Sequence, residues 1–169
     1  GIGTKFTVDL SFDIASKEEV YGNQNAMKPP AIHTIKGTRI LLVEDNELNA
    51  EIAKTVLEDD GALVTRVEDG QQAVELFKEK PTGTFDAILM DLMMPVMDGY
   101  TATKKIRSLE CSDAKTIPII AMTANAFQED AEKCIAVGMN AHLAKPLDIE
   151  KVMITICHLV KKKNSITIY

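Results

Sequence analysis

The sequence predicts an α/β fold, a doubly wound three-layer sandwich in which parallel strands lie between two layers of helices. From residue 38 onward, short apolar runs alternate five times with stretches whose apolar residues recur at helical spacing. The apolar runs are almost uninterrupted, which is typical of parallel strands buried on both faces. This alternation, joined by right-handed crossovers, produces a five-stranded parallel sheet with helices on both sides.

Each element is predicted from a local pattern of apolar residues and stop signals. Gly61, Pro81 and Gly138 end three of the helical stretches, and Asp148 caps the last one. The predicted strands are rich in aliphatic residues and cover 39–43, 62–67, 85–90, 117–122 and 141–144. The predicted helices have apolar residues every three or four positions and cover a stretch from 48 that stops at 61, then 71–80, 100–109, 128–137 and 148–163.

The first helix has a clear apolar repeat. Leu48, Ile52 and Val56 recur every four residues, accompanied by Ala53 and Leu57. This spacing places them on adjoining parts of one helical surface. We therefore expect an amphipathic helix directly after the first strand.

The composition is that of an acidic globular protein. The chain has 169 residues, of which 46% are hydrophobic, and a net charge of −6. This charge argues against nucleic acid or an anionic membrane surface as the main partner, and no apolar run is long enough to span a bilayer. Cys111, Cys134 and Cys157 are too widely spaced for a disulfide framework or a zinc site. We expect a cytoplasmic domain without direct membrane contact; a membrane anchor elsewhere in the parent protein stays open.

The chain divides into four segments. Residues 14–37 are polar and contain Gly22, Pro29 and Pro30, which predicts a linker. The α/β domain is predicted at 38–163, followed by a tail at 164–169. Residues 1–13 alternate apolar and polar side chains like a strand. Because the chain begins at Gly1 and shows no signal-peptide pattern, we interpret it as a piece of a longer protein.

Polar residues directly follow four of the predicted strands. Glu44 and Asp45 follow the first strand, Asp91 the third, Thr123 the fourth and Lys145 the fifth, while the second contributes no obvious residue. The carboxyl ends of parallel strands meet at one edge of the sheet, so these side chains are expected to lie together. Three neighbouring carboxylates repel one another unless a cation lies among them, and oxygen-only ligands favour Mg²⁺. A carboxylate can also accept a phosphoryl group, and a lysine can neutralise its charge.

Four motifs at these strand ends carry a resemblance to a known family. They are Val-Glu-Asp-Asn at 43–46, Leu-Met-Asp-Leu-Met-Met-Pro-Val-Met-Asp-Gly at 89–99, Ala-Met-Thr-Ala at 121–124 and Ala-Lys-Pro at 144–146. In this order they resemble the receiver domain of response regulators and hybrid histidine kinases, over residues 38 to about 160. The resemblance implies a flavodoxin-like (βα)5 sandwich with strand order 2-1-3-4-5. It also implies a two-component phosphorelay function.

The resemblance implies a phosphoacceptor and a metal site. Asp91 would accept a phosphoryl group from a phosphohistidine. Asp45, Asp91 and the carbonyl of Met93 would bind Mg²⁺ directly, and Glu44 would bind it through water.

The resemblance also assigns roles to the last two strand ends. Thr123 would be the switch hydroxyl, and Lys145 the ammonium that binds the phosphoryl group. One position departs from the commonest pattern, since His142 stands three residues before the lysine, where the family usually has an aromatic residue.

The first residues carry a second resemblance. Gly-Ile-Gly-Thr-Lys-Phe-Thr-Val at 1–8 is similar to the end of a histidine-kinase ATP-binding domain. It implies a hybrid sensor histidine kinase whose receiver exchanges phosphoryl groups with a phosphohistidine-bearing dimerisation domain and a histidine phosphotransfer domain. A fragment without the kinase core would only catalyse phosphorylation and dephosphorylation of its own aspartate. Residues 6–13 are also expected to support self-association, because a lone strand leaves its backbone groups unpaired.

Other functions stay open from the sequence. A stand-alone response regulator would have the same receiver motifs. A flavodoxin-like module that binds a nucleotide or flavin would need a phosphate-binding loop after the first strand, where Glu44 and Asp45 would repel phosphate. A phosphatase with an aspartate nucleophile usually has a second aspartate two residues later, where this chain has Met93.

Overall fold

The computed structural model describes residues 34–124 and 128–166. Within them, five parallel strands form one sheet in the order β2-β1-β3-β4-β5. The strands are β1 Arg39–Val43, β2 Leu63–Val67, β3 Ala87–Asp91, β4 Ile119–Thr123 and β5 Ala141–Ala144. The predicted fold class and strand order are therefore confirmed.

Five helices follow the strands, and side-chain caps begin the first three. Asn46, Asp69 and Asp98 each accept a hydrogen bond from the backbone N–H three residues later, which satisfies a donor in the first helical turn. The helices are α1 Glu47–Asp59, α2 Gly70–Glu79, α3 Gly99–Ser108, α4 Gln128–Ala136 and α5 Ile149–Ile166. Each helix lies close to its predicted position, although α5 continues past 163 into the predicted tail. No helix in the described part of the chain is long and apolar enough to cross a bilayer.

The sheet has a hydrophobic core on each face. In β1, Leu41 and Val43 belong to the cluster that contacts α2, α3 and α4, while Ile40 and Leu42 belong to the cluster that contacts α1 and α5. Residues of β3 and β4 are fully buried on both sides. This arrangement explains the uninterrupted apolar runs of the central strands, because neither face meets water.

Two central strands lie further along the chain than predicted. The third was predicted at 85–90 and the fourth at 117–122, but β3 ends at Asp91 and β4 at Thr123. Asp91 pairs with Met122 and Thr123 pairs with Ala144, so both polar residues belong to the ladder. The polar side chains are therefore the last residues of the strands, and the backbone of each strand fixes where they lie.

Helix α1 buries only part of the surface indicated by its apolar repeat. Its small residues Ala50 and Ala53, together with Leu57, pack on the sheet. Leu48 and Ile52 are 68% and 55% exposed. The helix is confirmed, but part of its apolar repeat faces solvent.

The packed domain begins before the predicted limit at residue 38. Ile35 is 1% exposed, and its backbone N–H donates to the Asp60 carboxylate at 2.8 Å. The Cys157 thiol donates to the Thr34 carbonyl at 3.2 Å. Thr34 to Gly37, predicted as the end of the linker, therefore contact the domain. The rest of the predicted linker and the strand-like segment at 1–13 lie outside the described residues.

Candidate functional site

The ends of four strands bring the predicted polar residues together at one edge of the sheet. Glu44 follows β1, Asp91 ends β3, Thr123 ends β4 and Lys145 follows β5. Carboxylate oxygens of Glu44, Asp45 and Asp91 all lie within 4.8 Å of one another. Glu44 is 2% exposed and Asp91 6%, whereas Asp45 is exposed. Two of the three acids are therefore held in a water-poor position, where mutual repulsion is weakly screened.

Lys145 supplies the positive charge of this cluster. Its Nζ lies 2.5 Å from Glu44 Oε2 and 2.5 Å from Asp91 Oδ2. Burial lowers the pKa of Lys145, but hydrogen bonds and charge from Asp91 and Glu44 outweigh burial and raise the pKa above its ordinary value. The ammonium therefore stays charged at neutral pH. One ammonium against three carboxylates leaves the cluster with a net negative charge.

The loop after Asp91 folds back tightly on the strand end. The Met93 N–H donates to Asp91 Oδ1 at 3.1 Å, and the Gly99 N–H donates to the Leu92 carbonyl at 3.2 Å. Gly99 has no side chain at a point where a Cβ would overlap the Asp91 carbonyl oxygen and lie 3.0 Å from Met90 Cγ. The glycine therefore allows α3 to begin directly against the backbone of Asp91.

The same loop contains a strained residue. Val96 has φ 64°, and the Met97 N–H donates to the Pro95 carbonyl at 2.6 Å, which describes a three-residue turn. A β-branched residue rarely adopts positive φ. Val96 is 85% exposed and Met93, in the same loop, is 78% exposed, so the loop presents two apolar side chains to solvent.

Thr123 and His142 lie on neighbouring strands. Thr123 is 6% exposed, and its carbonyl accepts the Lys145 N–H at 2.7 Å. His142 is half-buried and pairs with Ala121 in the ladder. Both residues belong to the two strands that meet Lys145, and Thr123 is one position beyond the residue that pairs with Asp91.

The second strand also contributes to this edge, which the sequence did not predict. Arg66 in β2 donates from Nε and Nη2 to the Glu44 carbonyl, each at 3.4 Å, and from Nη2 to the Asp45 carbonyl at 3.5 Å. Asn49 in α1 donates to Glu44 Oε1 at 3.3 Å. The sequence indicated no obvious residue from the second strand, and the structure adds Arg66 from within that strand. The sequence did not indicate Arg66 or Asn49 as site residues, because Arg66 lies within β2 and Asn49 within α1, and neither directly follows a strand.

A groove opens beside the cluster. It encloses about 390 Å³, and its polar lining residues are Glu44, Asn49 and Lys145. The rest of its lining is mainly apolar and includes Ile52, Ala53, Ala124, Pro146, Leu147 and Ile149. The groove separates α1 from the segment that joins β5 to α5.

The acidic cluster has the chemistry of a magnesium site. Its donors are carboxylate oxygens, and the residues that form it include no histidine or cysteine. Oxygen ligands suit Mg²⁺ and disfavour softer metals. A divalent cation would also relieve the repulsion that Lys145 balances only in part.

The chain matches the family described as response regulator receiver domain over residues 40–156. It is 40% identical to Histidine kinase 1 of Arabidopsis thaliana over 158 residues, which cover 76% of this chain and 13% of that protein. It is 41% identical to Hybrid signal transduction histidine kinase B of Dictyostelium discoideum over 133 residues, which cover 73% of this chain and 6% of that protein. The chain therefore spans a small part of these relatives.

Two solved structures are informative. The receiver domain of sensor histidine kinase PA1611 from Pseudomonas aeruginosa, crystallised with a magnesium ion in its active-site cleft, has a TM-score of 0.66 and 43% identity. The alignment covers 74% of this chain and 98% of that one. The receiver domain of Ssk1, in complex with the histidine phosphotransfer protein Ypd1 of Saccharomyces cerevisiae, has a TM-score of 0.67 and 30% identity, over 75% and 90% of the two chains.

Proposed function

The chain belongs to the response regulator receiver domain family, and we propose that Asp91 is the residue that accepts the phosphoryl group in its two-component phosphorelay function. The observation that supports this assignment is the cluster in which Lys145 bridges Asp91 and Glu44. The site does not favour binding of a nucleotide or flavin, because Glu44 and Asp45 lie where an anion-binding loop would be needed.

Asp91 would act as the nucleophile. One of its carboxylate oxygens attacks the phosphorus of a phosphohistidine and forms an acyl phosphate. The P–N bond of the donor breaks, and its electron pair stays on the imidazole. Lys145 Nζ lies 2.5 Å from Asp91 Oδ2. Its ammonium is therefore close enough to neutralise negative charge on the oxygens of a phosphoryl group bound to Asp91. Thr123, at the end of the adjacent strand, would offer its hydroxyl to another phosphoryl oxygen and thereby act as the switch hydroxyl.

The acids of the cluster would hold Mg²⁺. Asp45, Asp91 and the Met93 carbonyl would bind it directly, and Glu44 through water. The proximity of three carboxylates supports this assignment, as does the magnesium ion in the cleft of the PA1611 receiver domain. When bound, the cation would screen the acids from the incoming phosphoryl oxygens. Asp45, the exposed acid, is the one most open to an ion that arrives from solvent.

Phosphorylation is expected to require Mg²⁺. Incubation of the full chain with acetyl phosphate and Mg²⁺ should add the mass of one phosphoryl group, because the small donor needs no docking surface. With EDTA in place of Mg²⁺, the unscreened acids should repel the donor and labelling should fall to background. Intact-mass spectrometry measures both results. Equal labelling with and without the metal would contradict the proposed magnesium site.

The groove beside the cluster would receive the protein partner. Leu48 and Ile52 are exposed on α1, and Ile52 lines the groove that Lys145 also lines. A helix that carries a phosphohistidine could bury these side chains and bring its imidazole to Asp91. The Ssk1 receiver domain, similar to this chain, binds a histidine phosphotransfer protein. We propose that a histidine phosphotransfer domain, or the phosphohistidine domain of a kinase, docks here.

The substitution Ile52→Asp should separate docking from chemistry. A charge in the apolar groove should slow phosphoryl transfer from phosphorylated Ypd1 about tenfold or more, since burying an unpaired charge is costly. Labelling by acetyl phosphate should not change. The control is Leu63→Asp, which places the same charge on a residue that is 60% exposed at the opposite end of the sheet. Equal loss in both variants, or loss with both donors, would contradict the docking site.

The larger protein is proposed to be a hybrid sensor histidine kinase. The curated relatives quoted above are histidine kinases that are much longer than the matched region. Residues 1–13, the proposed remnant of the ATP-binding domain, and any self-association through 6–13 concern a segment outside the described residues. We also propose that this part of the protein is cytoplasmic. His142 would stand in the position of the usual aromatic residue.

A further inference from the structure

Arg66 binds the backbone that carries two of the acids. Its guanidinium reaches the carbonyl oxygens of Glu44 and Asp45 from β2, with donor–acceptor distances of 3.4, 3.4 and 3.5 Å. Both carbonyls belong to the short connection between β1 and α1. A guanidinium presents several N–H donors in a rigid plane, so it can serve two successive carbonyls at once.

The backbone contacts of this connection fix its start and its end. The Glu44 N–H donates to the Val67 carbonyl at 3.1 Å, which continues the pairing of β1 with β2 by one residue. Asn46 caps α1 and accepts the Asn49 N–H. Between these two points, Arg66 holds the peptide carbonyls of Glu44 and Asp45. Arg66 therefore contacts the backbone of the loop between the strand and the helix cap, whereas Asn49 and Lys145 contact the Glu44 side chain.

The side chains of the same two residues lie in the acidic cluster. Carboxylate oxygens of Glu44, Asp45 and Asp91 are within 4.8 Å of one another, and Lys145 forms ion pairs with two of these acids. Asp45 is exposed and is the acid of the cluster for which no ion pair with Lys145 is seen. Its position relative to Asp91 therefore depends strongly on its backbone. A rotation of this short loop would move its carboxylate away from the other two.

We propose that Arg66 is a positioning residue of the magnesium site. Through the Glu44 and Asp45 carbonyls it holds the β1–α1 loop so that the two acids face Asp91, without contact to the metal or the phosphoryl group. The inference rests on the proposed magnesium-dependent function of the same site. It assigns a role in that function to the edge strand β2.

The test is the affinity of the full chain for Mg²⁺, measured by isothermal titration calorimetry. Arg66→Met keeps the aliphatic stem and removes the donors, and it should weaken Mg²⁺ binding about tenfold, a typical loss when a group that orients a ligand is removed. Arg66→Lys keeps the charge without the planar fork, and it should also bind severalfold more weakly than the wild type. If Arg66→Met fails to fold, Arg66→Lys decides.

The control is Arg39→Met, which removes a guanidinium bound to Asp86 at the opposite end of the sheet. Its Mg²⁺ affinity should equal that of the wild type. Thermal unfolding in EDTA separates the roles, because a purely structural arginine would lower stability and leave Mg²⁺ affinity unchanged. Unchanged or tighter binding in the Arg66 variants overturns the inference. A wild type that binds no Mg²⁺ overturns the proposed function instead.

Discussion

Replacing Asp91 with asparagine is expected to reduce phosphoryl incorporation from acetyl phosphate and Mg²⁺ to background. The amide has nearly the same shape but no anionic oxygen to attack phosphorus. The fold should persist, because the substitution removes one negative charge from a cluster with three carboxylates and one ammonium. Intact-mass spectrometry measures the labelling, and thermal unfolding checks the fold.

Asp98→Asn is the matched control for this substitution. Asp98 lies in the same loop, is exposed and caps α3 by accepting the Thr101 N–H at 2.7 Å. Asparagine caps a helix about as well as aspartate, so both stability and labelling should be preserved. Normal labelling of the Asp91→Asn variant would show that another residue accepts the phosphoryl group.

Replacing Gly99 with alanine is expected to destabilise the domain by about 3 kcal/mol or more, because overpacking against backbone cannot be relieved by a side-chain rotation. The added Cβ would overlap the Asp91 carbonyl oxygen and crowd Met90 Cγ at 3.0 Å. Helix propensity alone would predict the opposite effect, because alanine favours a helix over glycine by up to about 1 kcal/mol. Urea unfolding in EDTA measures the loss of free energy of unfolding.

Gly83→Ala is the control, because it replaces a glycine where the added Cβ meets no neighbouring atom. Gly83 has φ 80°, and a Cβ placed on it would meet no atom within 4 Å. Its substitution should cost about 1 to 2 kcal/mol, from the left-handed backbone alone. The Gly99→Ala variant should also label more slowly, because the displaced atom belongs to the acceptor residue. A Gly99→Ala protein as stable as the wild type would contradict the close approach of α3 to the Asp91 backbone.

The sequence determined the sheet and the residues that follow its strands. The apolar runs that lead up to Asp91 and Thr123 indicate buried strands, and the parallel order brings the carboxyl ends of such strands to one edge. Glu44, Asp45 and Lys145 then follow from their positions in the chain, and the structure brings all three to that edge. The start of the last helix was also readable, because its cap Asp148 accepts the Lys151 N–H from only three positions away.

The choice of buried face on α1 was decided by the tertiary structure. The apolar repeat contains Leu48 and Ile52, yet both are exposed, whereas Ala50, which lies outside the repeat, is buried. Small residues let a helix approach a flat sheet closely, and periodicity alone does not weigh size against hydrophobicity. The exposed pair became visible as a candidate docking surface only when the helix was seen in place.

The contacts of the half-buried arginines Arg66 and Arg107 also required the tertiary structure. Arg66 binds the carbonyls of Glu44 and Asp45, and Arg107 in α3 donates to the Ala114 and Ile117 carbonyls at 2.7 and 2.8 Å. A long side chain that binds backbone carbonyls leaves no pattern in the sequence, since every residue has a carbonyl. Which one it reaches depends on how elements distant in sequence pack against one another.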